Sequence, residues 1–266
     1  HDDPGIVRLD PRWHQAAARF VRSGFGHILE GIDHLLFLLC LVIPLRRIRT
    51  LVMVVTSFTV AHSVTLIASA YNVAPGGLWF PPLVETLIAA SIVYMALENI
   101  VGANVVRRWL ITFAFGLVHG FGFSFALRDS LQFAGSHLLT ALLSFNLGVE
   151  LGQLLVLAAV VPALNVMFRF VVAERMGTII LSAIVAHTAW HWLTERGGQL
   201  LQFPWPALDA TLLLTVVRMA IGIVALAAVI WIVRLQVRRK AGVATRESGG
   251  FAPAETGRYA QEEGRP

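Results

Sequence analysis

Charged residues and cysteine are both scarce in this sequence. Only 14% of its 266 residues are Asp, Glu, Lys or Arg, whereas 56% are hydrophobic, and the mean hydropathy is +0.70. A soluble globular domain carries about 25% charged residues, so this composition excludes that class and predicts a membrane protein. Cys40 is the single cysteine, which excludes an intrachain disulfide bond.

Long apolar runs divide the chain into membrane spans. A helix needs about 20 mainly apolar residues to cross the hydrocarbon core of a bilayer, and only helices or closed barrels can do so. Seven runs have suitable length: 24–44, 50–71, 83–101, 109–127, 137–161, 176–193 and 208–235. The sequence therefore predicts an all-α fold, a polytopic membrane helix bundle with seven transmembrane helices.

The basic residues gather in alternate loops between these runs. Arginines follow the first, third, fifth and seventh runs, whereas the loop 72–82 has no basic residue. Short loops rich in Lys and Arg stay in the cytoplasm. We therefore predict a cytoplasmic C-terminus and an N-terminus outside, although four arginines precede the first run. This distribution accounts for the net charge of +5 without a nucleic-acid partner.

The segments outside the apolar runs have their own patterns. Residues 1–23 are predicted to form an extracytoplasmic segment, in which positions 11–25 have the pattern of an amphipathic helix at the membrane surface. Residues 24–235 form the predicted seven-helix transmembrane domain. Residues 236–266 are rich in Gly, Ala, Glu and Arg without apolar periodicity, which predicts a disordered cytoplasmic tail.

Four ionisable side chains stand close together at the start of the first run: His27, Glu30, Asp33 and His34. A charged side chain at the centre of a membrane costs about 2.5 to 3.5 kcal/mol on insertion scales, so these groups need partners in the bundle. In a continuous helix His27, Glu30 and His34 project from one face, with Asp33 on the adjacent stripe. Imidazoles and carboxylates that converge in this way are ligands for nickel, cobalt or zinc.

Other runs supply matching polar groups. His62 lies in the second run, His119 in the fourth and Glu150 in the fifth, where Asn146 and Gln153 complete a polar stripe. An intramembrane histidine or amide can equally be an interhelical hydrogen-bond partner. Glycines in these runs permit close helix approach: Gly116, Gly120, Gly122, Gly148 and Gly152. The predicted metal site comprises His27, Glu30, Asp33, His34, His62, His119 and Glu150.

Four segments carry motifs: His27-x5-Asp33-His34, and residues 58–66, 115–123 and 145–153. Together they resemble the HupE/UreJ family of hydrogenase and urease accessory membrane proteins. The resemblance implies a multi-pass permease for nickel, or for cobalt, in the bacterial inner membrane that supplies metalloenzyme maturation proteins. Nickel permeases of the family also carry a second motif, in which two His-Gly pairs are followed by a glutamate. Only His119-Gly120 fits this motif here. Here Gly122 occupies the glutamate position, and we conjecture that Glu150 supplies the carboxylate.

Three functions are open to such a chain. The first is membrane transport or binding of a divalent transition-metal ion, with nickel or cobalt favoured over copper or zinc. The second is an intramembrane zinc hydrolase of the seven-helix ceramidase-like type, with His187, His191 and His62 as ligands. The third is an accessory structural subunit of a larger membrane complex.

We favour the metal carrier over an enzyme because the costly first-run cluster is functional by default. Its expected partners are lipids, the metal ion, maturation proteins and further membrane subunits, without nucleic acid. Distances discriminate between the carrier and the hydrolase. A His62 within shared-ligand reach of His187 and His191 would favour the hydrolase. A meeting of the His27 to His34 face with His62, His119 and Glu150 would favour the carrier.

Overall fold

The computed structural model describes residues 12–102, 107–131 and 137–203, with side chains of the second range described to residue 123. A few positions beyond residue 203 are also described. The chain divides into two compact units, residues 1–215 and 216–266. The first unit contains every helix named below.

The described residues of the first unit contain seven named helices and no β-strand. In chain order they are α1 (Trp13–Glu30), α2 (Ile32–Val42), α3 (Ile48–Ala70), α4 (Phe80–Val101), α5 (Arg108–Leu131), α6 (Leu138–Phe170) and α7 (Glu174–Leu200). The all-helical fold predicted from the apolar runs is confirmed for this part of the chain.

Four of these helices, α3, α4, α6 and α7, are long and apolar enough to cross a membrane. Helices α1 and α2 pass the same test only as a pair, and they meet at an angle of 72°. The described residues thus contain up to five candidate spans, and the total of seven stays a prediction. The run 109–127 falls in α5, whereas 208–235 lies outside the described residues except for a few positions.

The first apolar run forms two helices rather than one. Helix α1 ends at Glu30 and α2 begins at Ile32, with Gly31 between them in an extended conformation (φ −79°, ψ 94°). Glycine favours such a break because it loses the most backbone freedom in a helix. The prediction of one straight span over 24–44 is therefore wrong. The amphipathic segment is continuous with α1, and its buried face packs against α6.

Two glycines bring α5 against α3. A Cβ atom at Gly116 would lie 2.6 Å from the carbonyl oxygen of Phe58, and one at Gly120 would lie 2.6 Å from that of His62. Real Cβ atoms do not approach other atoms so closely, so only glycine allows the two backbones this spacing. The predicted close approach is confirmed here, and it places α5 directly beside His62.

Glycines also set the contact between α1 and α6. A Cβ atom at Gly24 would overlap the carbonyl oxygen of Phe145, and a Cβ at Gly148 would overlap that of Val21. The two helices therefore pack backbone against backbone at the level of the first-run histidines. This contact brings the polar stripe of α6 next to the end of α1.

A buried arginine stabilises the C-terminal end of α2. The carbonyl oxygen of Cys40 would accept the N–H of residue 44 in a regular helix, but Pro44 has no N–H. Arg108 Nη2 and Asn99 Nδ2 donate to this oxygen instead, at 2.8 and 2.9 Å. Glu98 Oε2 lies 3.3 Å from Arg108 Nη1. The sequence predicts a loop position for Arg108, but its side chain is fully buried.

Candidate metal centre

The break at Gly31 brings two histidines together. Along a straight helix His27 and His34 would be separated by about 10.5 Å, because each residue rises 1.5 Å. Their ring centroids lie only 4.6 Å apart. The single helical face predicted for His27, Glu30 and His34 is not formed, and the exposed Glu30 side chain lies at the end of α1.

His62 of α3 joins this pair. One ring nitrogen from each of His27, His34 and His62 lies within 4.8 Å of the other two, and we term these side chains the imidazole trio. Among the described residues it is the only group of three or more His, Cys, Asp or Glu side chains with such spacing. A tetrahedral ion with bonds of about 2.0 Å holds its ligand atoms about 3.3 Å apart. Small side-chain rotations would therefore close the trio around an ion.

Hydrogen bonds fix the protonated nitrogen of two members of the trio. His34 Nδ1 donates to Asp33 Oδ1 at 3.0 Å, and His62 Nδ1 donates to Asn146 Oδ1 at 3.1 Å. The Asn146 amide nitrogen donates in turn to the Leu142 carbonyl oxygen at 2.9 Å, so its oxygen faces His62. A proton on Nδ1 leaves the Nε2 lone pair for a metal ion.

The three Nε2 atoms of the trio are buried. Within the part of the chain that the structure describes, no group hydrogen-bonds to Nε2 of His27, His34 or His62. A buried polar atom without a partner costs about 1 to 3 kcal/mol, and native structures rarely leave one without a reason. A cation held between the three imidazoles would give these buried nitrogens a partner.

Asp33 supplies the negative charge next to the trio. Its Oδ1 accepts both the ring N–H and the backbone N–H of His34, the latter at 2.9 Å. The residue stands in the first turn of α2, where the helix dipole stabilises an anion. A Cβ atom at Gly31 would lie 2.8 Å from His34 Nδ1 and 3.2 Å from Asp33 Oδ1. Glycine at this position therefore also provides the space for the pair.

A fourth imidazole, that of His119 on α5, borders the trio. Its ring centroid lies 5.2 Å from that of His34. His119 Nε2 is 3.0 Å from Ser91 Oγ, and this hydroxyl donates its own hydrogen to the Ile88 carbonyl oxygen. The proton therefore sits on His119 Nε2. No described group hydrogen-bonds to His119 Nδ1, whose lone pair can serve as a fourth ligand.

Aromatic rings surround the imidazoles, and one side is open. The Phe37 and Phe58 rings lie 5.0 and 5.2 Å from that of His119, and the Phe123 ring lies 4.1 Å from that of His27. These apolar walls strengthen electrostatic interactions inside the cluster. His27 also lines a cavity of about 450 Å³ together with Arg22, Glu30 and Phe123. The trio can therefore be reached through His27.

Glu150 lies outside the trio. Its carboxylate oxygens accept hydrogen bonds from the hydroxyls of Thr59 and Thr56 on α3, about one and two turns before His62. The structure thus brings His27, His34 and His62 together with Asp33 and His119 beside them. It places Glu150 on α6 beside Thr56 and Thr59, and it leaves Glu30 at the cavity that His27 lines.

The two histidines of α7 take no part in this cluster. His187 and His191 have ring centroids 4.6 Å apart and are both exposed, whereas His62 is fully buried beside His27 and His34. The ligand set required by the zinc-hydrolase alternative is therefore not formed. The first-run histidines meet His62 and lie beside His119, whereas Glu150 lies outside the trio, so the geometry favours the carrier over the hydrolase.

The contacts of two supporting residues were not predicted from the sequence. The interhelical hydrogen-bond role considered for the Asn146 amide is confirmed, but its partner His62 is 84 positions away and was not predicted. Ser91 is an ordinary small residue of an apolar helix and gives no signal of its contact with His119. Side chains of this kind become recognisable only when the helix pairing is known.

Fold and cluster together define a class, an all-helical membrane protein with a buried imidazole cluster of metal-ligand spacing. The chain matches the family model described as HupE / UreJ protein over residues 5–196. It belongs to the HupE/UreJ family, and the resemblance noted from the motifs is confirmed. Membership implies a role in metal uptake or an accessory role. No curated protein and no solved structure gave a significant match.

Proposed function

We propose that the chain carries a divalent transition-metal cation across the membrane through the imidazole trio, with nickel or cobalt favoured. The observation that carries this proposal is the convergence of three imidazoles, each with a ring nitrogen within 4.8 Å of the other two and each with a buried Nε2 atom that has no described partner. Imidazole nitrogen is a preferred ligand for nickel, cobalt, copper and zinc, whereas calcium and magnesium prefer oxygen. The family supports nickel or cobalt within this group.

The transport path begins at the cavity beside His27. The cation exchanges water for Nε2 of His27, His34 and His62, and His119 can add a fourth nitrogen. Asp33 compensates part of the charge through its hydrogen bond to His34, and it strengthens that ligand as carboxylate partners of ligating histidines do. Three neutral imidazoles and one carboxylate leave a net positive charge around a divalent ion. This incomplete compensation favours release, which a carrier needs.

We also propose an orientation of the chain in the membrane and a direction of cation transport. We place the chain in the bacterial inner membrane with its N-terminus outside and its C-terminus in the cytoplasm, and the cation moves inward. Metalloenzyme maturation proteins or a further membrane subunit would receive it. The loop arginines and the family support this orientation, and no enzymatic step is part of it.

Uptake into proteoliposomes tests this function. Purified protein is reconstituted with a fluorescent chelator inside the vesicles, and the quenching by external Ni²⁺ or Co²⁺ is followed. Wild type should transport the ion, whereas His34→Ala and Asp33→Ala should not. His187→Ala, which removes an exposed imidazole outside the trio, is the matched control and should transport normally. Equal uptake by wild type, His34→Ala and Asp33→Ala would exclude the mechanism, and no uptake by wild type would favour an accessory role.

A further inference from the structure

A ladder of polar contacts continues from the trio along the groove between α3 and α6. Its first rung is the contact of His62 with Asn146. Thr59 and Thr56 follow at three-residue intervals on α3, each about 4.5 Å along the axis from the one before. On α6 the matching groups are Glu150 and Gln153. The ladder leads from the trio toward the N-terminal end of α3.

The Thr59 hydroxyl meets more acceptors than its one hydrogen can satisfy. The Thr56 hydroxyl donates to Glu150 Oε1 at 2.7 Å. The Thr59 hydroxyl faces three acceptors, Glu150 Oε2, Gln153 Oε1 at 2.9 Å and the Val55 carbonyl oxygen at 3.3 Å. A hydroxyl has one hydrogen, so it can satisfy only one of the three fully.

Burial makes this shortage of hydrogens costly. Thr59 and Gln153 are 8% and 1% exposed, and unpaired oxygens in such surroundings are unfavourable. A cation among the oxygens would replace the missing hydrogens. Glu150 is partly buried and Thr56 is exposed, so the site lies at the edge of the buried core on that side.

We propose that Thr56, Thr59, Glu150 and Gln153 form a second cation site, the oxygen site, which takes the divalent cation from the trio on its inward path. This inference rests on the proposed transport function. The division of labour follows from ligand chemistry: imidazoles select transition metals, whereas carboxylate, hydroxyl and amide oxygens bind divalent cations with less discrimination. A second, weaker site close to the first favours passage because an ion must leave each site as well as enter it.

The groove beyond the oxygen site offers a continuation of the path. A cavity of about 320 Å³ lies between α3 and α6 and is lined by Leu51, Leu157, Ala158 and Pro162 among others. Pro162 stands inside α6 and has no N–H for the Ala158 carbonyl oxygen to accept. One backbone oxygen on an otherwise apolar lining is thereby left for other partners. Such freed carbonyls coordinate cations in transporters with interrupted helices.

The same contacts would also be made by a purely structural network between α3 and α6. That alternative differs in what it requires of the side chains. A structural network needs a stable helix pair and tolerates any change that keeps the fold. A cation site needs the Glu150 charge and the Thr59 oxygen, and their loss should slow transport in a protein that is folded and still binds metal at the trio.

Binding and transport measured on the same variants test the oxygen site. Ni²⁺ binding to detergent-purified protein and Ni²⁺ uptake into proteoliposomes are compared for wild type, Glu150→Gln, Thr59→Val and Thr59→Ser. We expect all four to bind Ni²⁺ with unchanged stoichiometry and affinity. Uptake should fall about tenfold or more in Glu150→Gln and Thr59→Val, which corresponds to a barrier higher by at least about 1.4 kcal/mol. Thr59→Ser keeps the oxygen and should retain uptake.

Controls separate this inference from the transport function itself. Glu195→Gln removes an exposed carboxylate of α7 and should behave as wild type, and thermal unfolding should be unchanged in every variant. Normal uptake by both Glu150→Gln and Thr59→Val would overturn the oxygen site while leaving transport intact. Loss of Ni²⁺ binding in Glu150→Gln would also overturn it, because Glu150 would then belong to the trio. A wild type that neither binds nor transports metal would instead contradict the proposed function.

Discussion

His62 on α3 and Asn146 on α6 lie 84 positions apart in the chain, yet His62 Nδ1 is 3.1 Å from Asn146 Oδ1. The amide is itself held by the Leu142 carbonyl oxygen, so it presents an acceptor to the imidazole in a fixed direction. The contact determines which nitrogen of His62 carries the proton. It also determines that Nε2 is the atom directed to a metal ion.

Replacement of the Asn146 amide should weaken metal binding without removing a ligand. In Asn146→Leu the His62 ring loses its acceptor and is free to change its protonated nitrogen and its orientation. Loss of such a supporting partner typically costs 10- to 100-fold in metal affinity, and we expect a loss of about this size in Ni²⁺ titrations. Asn146→Asp keeps an acceptor oxygen and should retain affinity. Wild-type affinity in Asn146→Leu would contradict the assigned role.

Gly31 should be intolerant of even one added carbon. The Cβ of Gly31→Ala would lie 2.8 Å from both the His27 carbonyl oxygen and His34 Nδ1, so His34 must move away from Asp33. We expect Gly31→Ala to lower Ni²⁺ affinity strongly while the protein still purifies as a folded species. Gly26→Ala is a matched control, because its Cβ would meet its nearest atom at 3.6 Å. Equal affinities in the two variants would disprove the role of the break.

The contact of α1 with α6 should depend on Gly148. A Cβ in Gly148→Ala would overlap the backbone of α1 at Val21, and overpacking of this kind costs about 1 to 3 kcal/mol. We expect a lower unfolding temperature in detergent. Gly198→Ala is the comparison, because no described atom lies within 4 Å of its added Cβ. A melting temperature in Gly148→Ala no lower than in Gly198→Ala would refute the close packing.

The Arg108 side chain should be a principal determinant of stability at the other end of α2. Arg108→Met leaves the Cys40 carbonyl oxygen with a single donor and leaves Glu98 without its cation. Removal of one partner of a buried ion pair costs about 3 to 5 kcal/mol. The double variant Arg108→Met, Glu98→Gln removes both charges and should recover part of this loss. If Arg108→Met unfolds at the wild-type temperature, the anchoring role is incorrect.

Much of the fold follows from composition and from the length of the apolar runs, because a bilayer admits few architectures. The runs 50–71 and 83–101 therefore match α3 and α4 within three residues, whereas α6 and α7 extend nine and seven residues beyond the ends of their predicted runs. The break at Gly31 was not predicted, because a hydrophobic run has the same pattern whether it forms one helix or two. Arg108 was assigned to a loop for a related reason. Its hydrogen bond to the Cys40 carbonyl oxygen depends on helix packing.

The candidate site was likewise predictable from the sequence only in part. The ionisable residues of the first run stood out because of their cost in a membrane, and the structure does bring His27 and His34 together with His62. Their meeting nevertheless depends on a 72° bend and not on the helical spacing from which it was argued. Glu30 was assigned to the site by helical spacing, which the break at Gly31 removes. Glu150 was assigned as a matching carboxylate, and the pairing of α3 with α6 places it beside Thr56 and Thr59 instead. Pro44 and Pro162 can be read directly from the sequence. Each leaves the carbonyl oxygen four residues earlier without its usual N–H partner.

The most direct test of the central claim is the metal content of the purified protein. Wild type and His34→Ala are prepared without chelator in the presence of micromolar nickel, washed, and measured by mass spectrometry of the elements. The imidazole trio predicts close to one nickel or cobalt ion per wild-type chain and almost none in His34→Ala. An equal amount of metal in both proteins would contradict the trio and direct attention to His187 and His191.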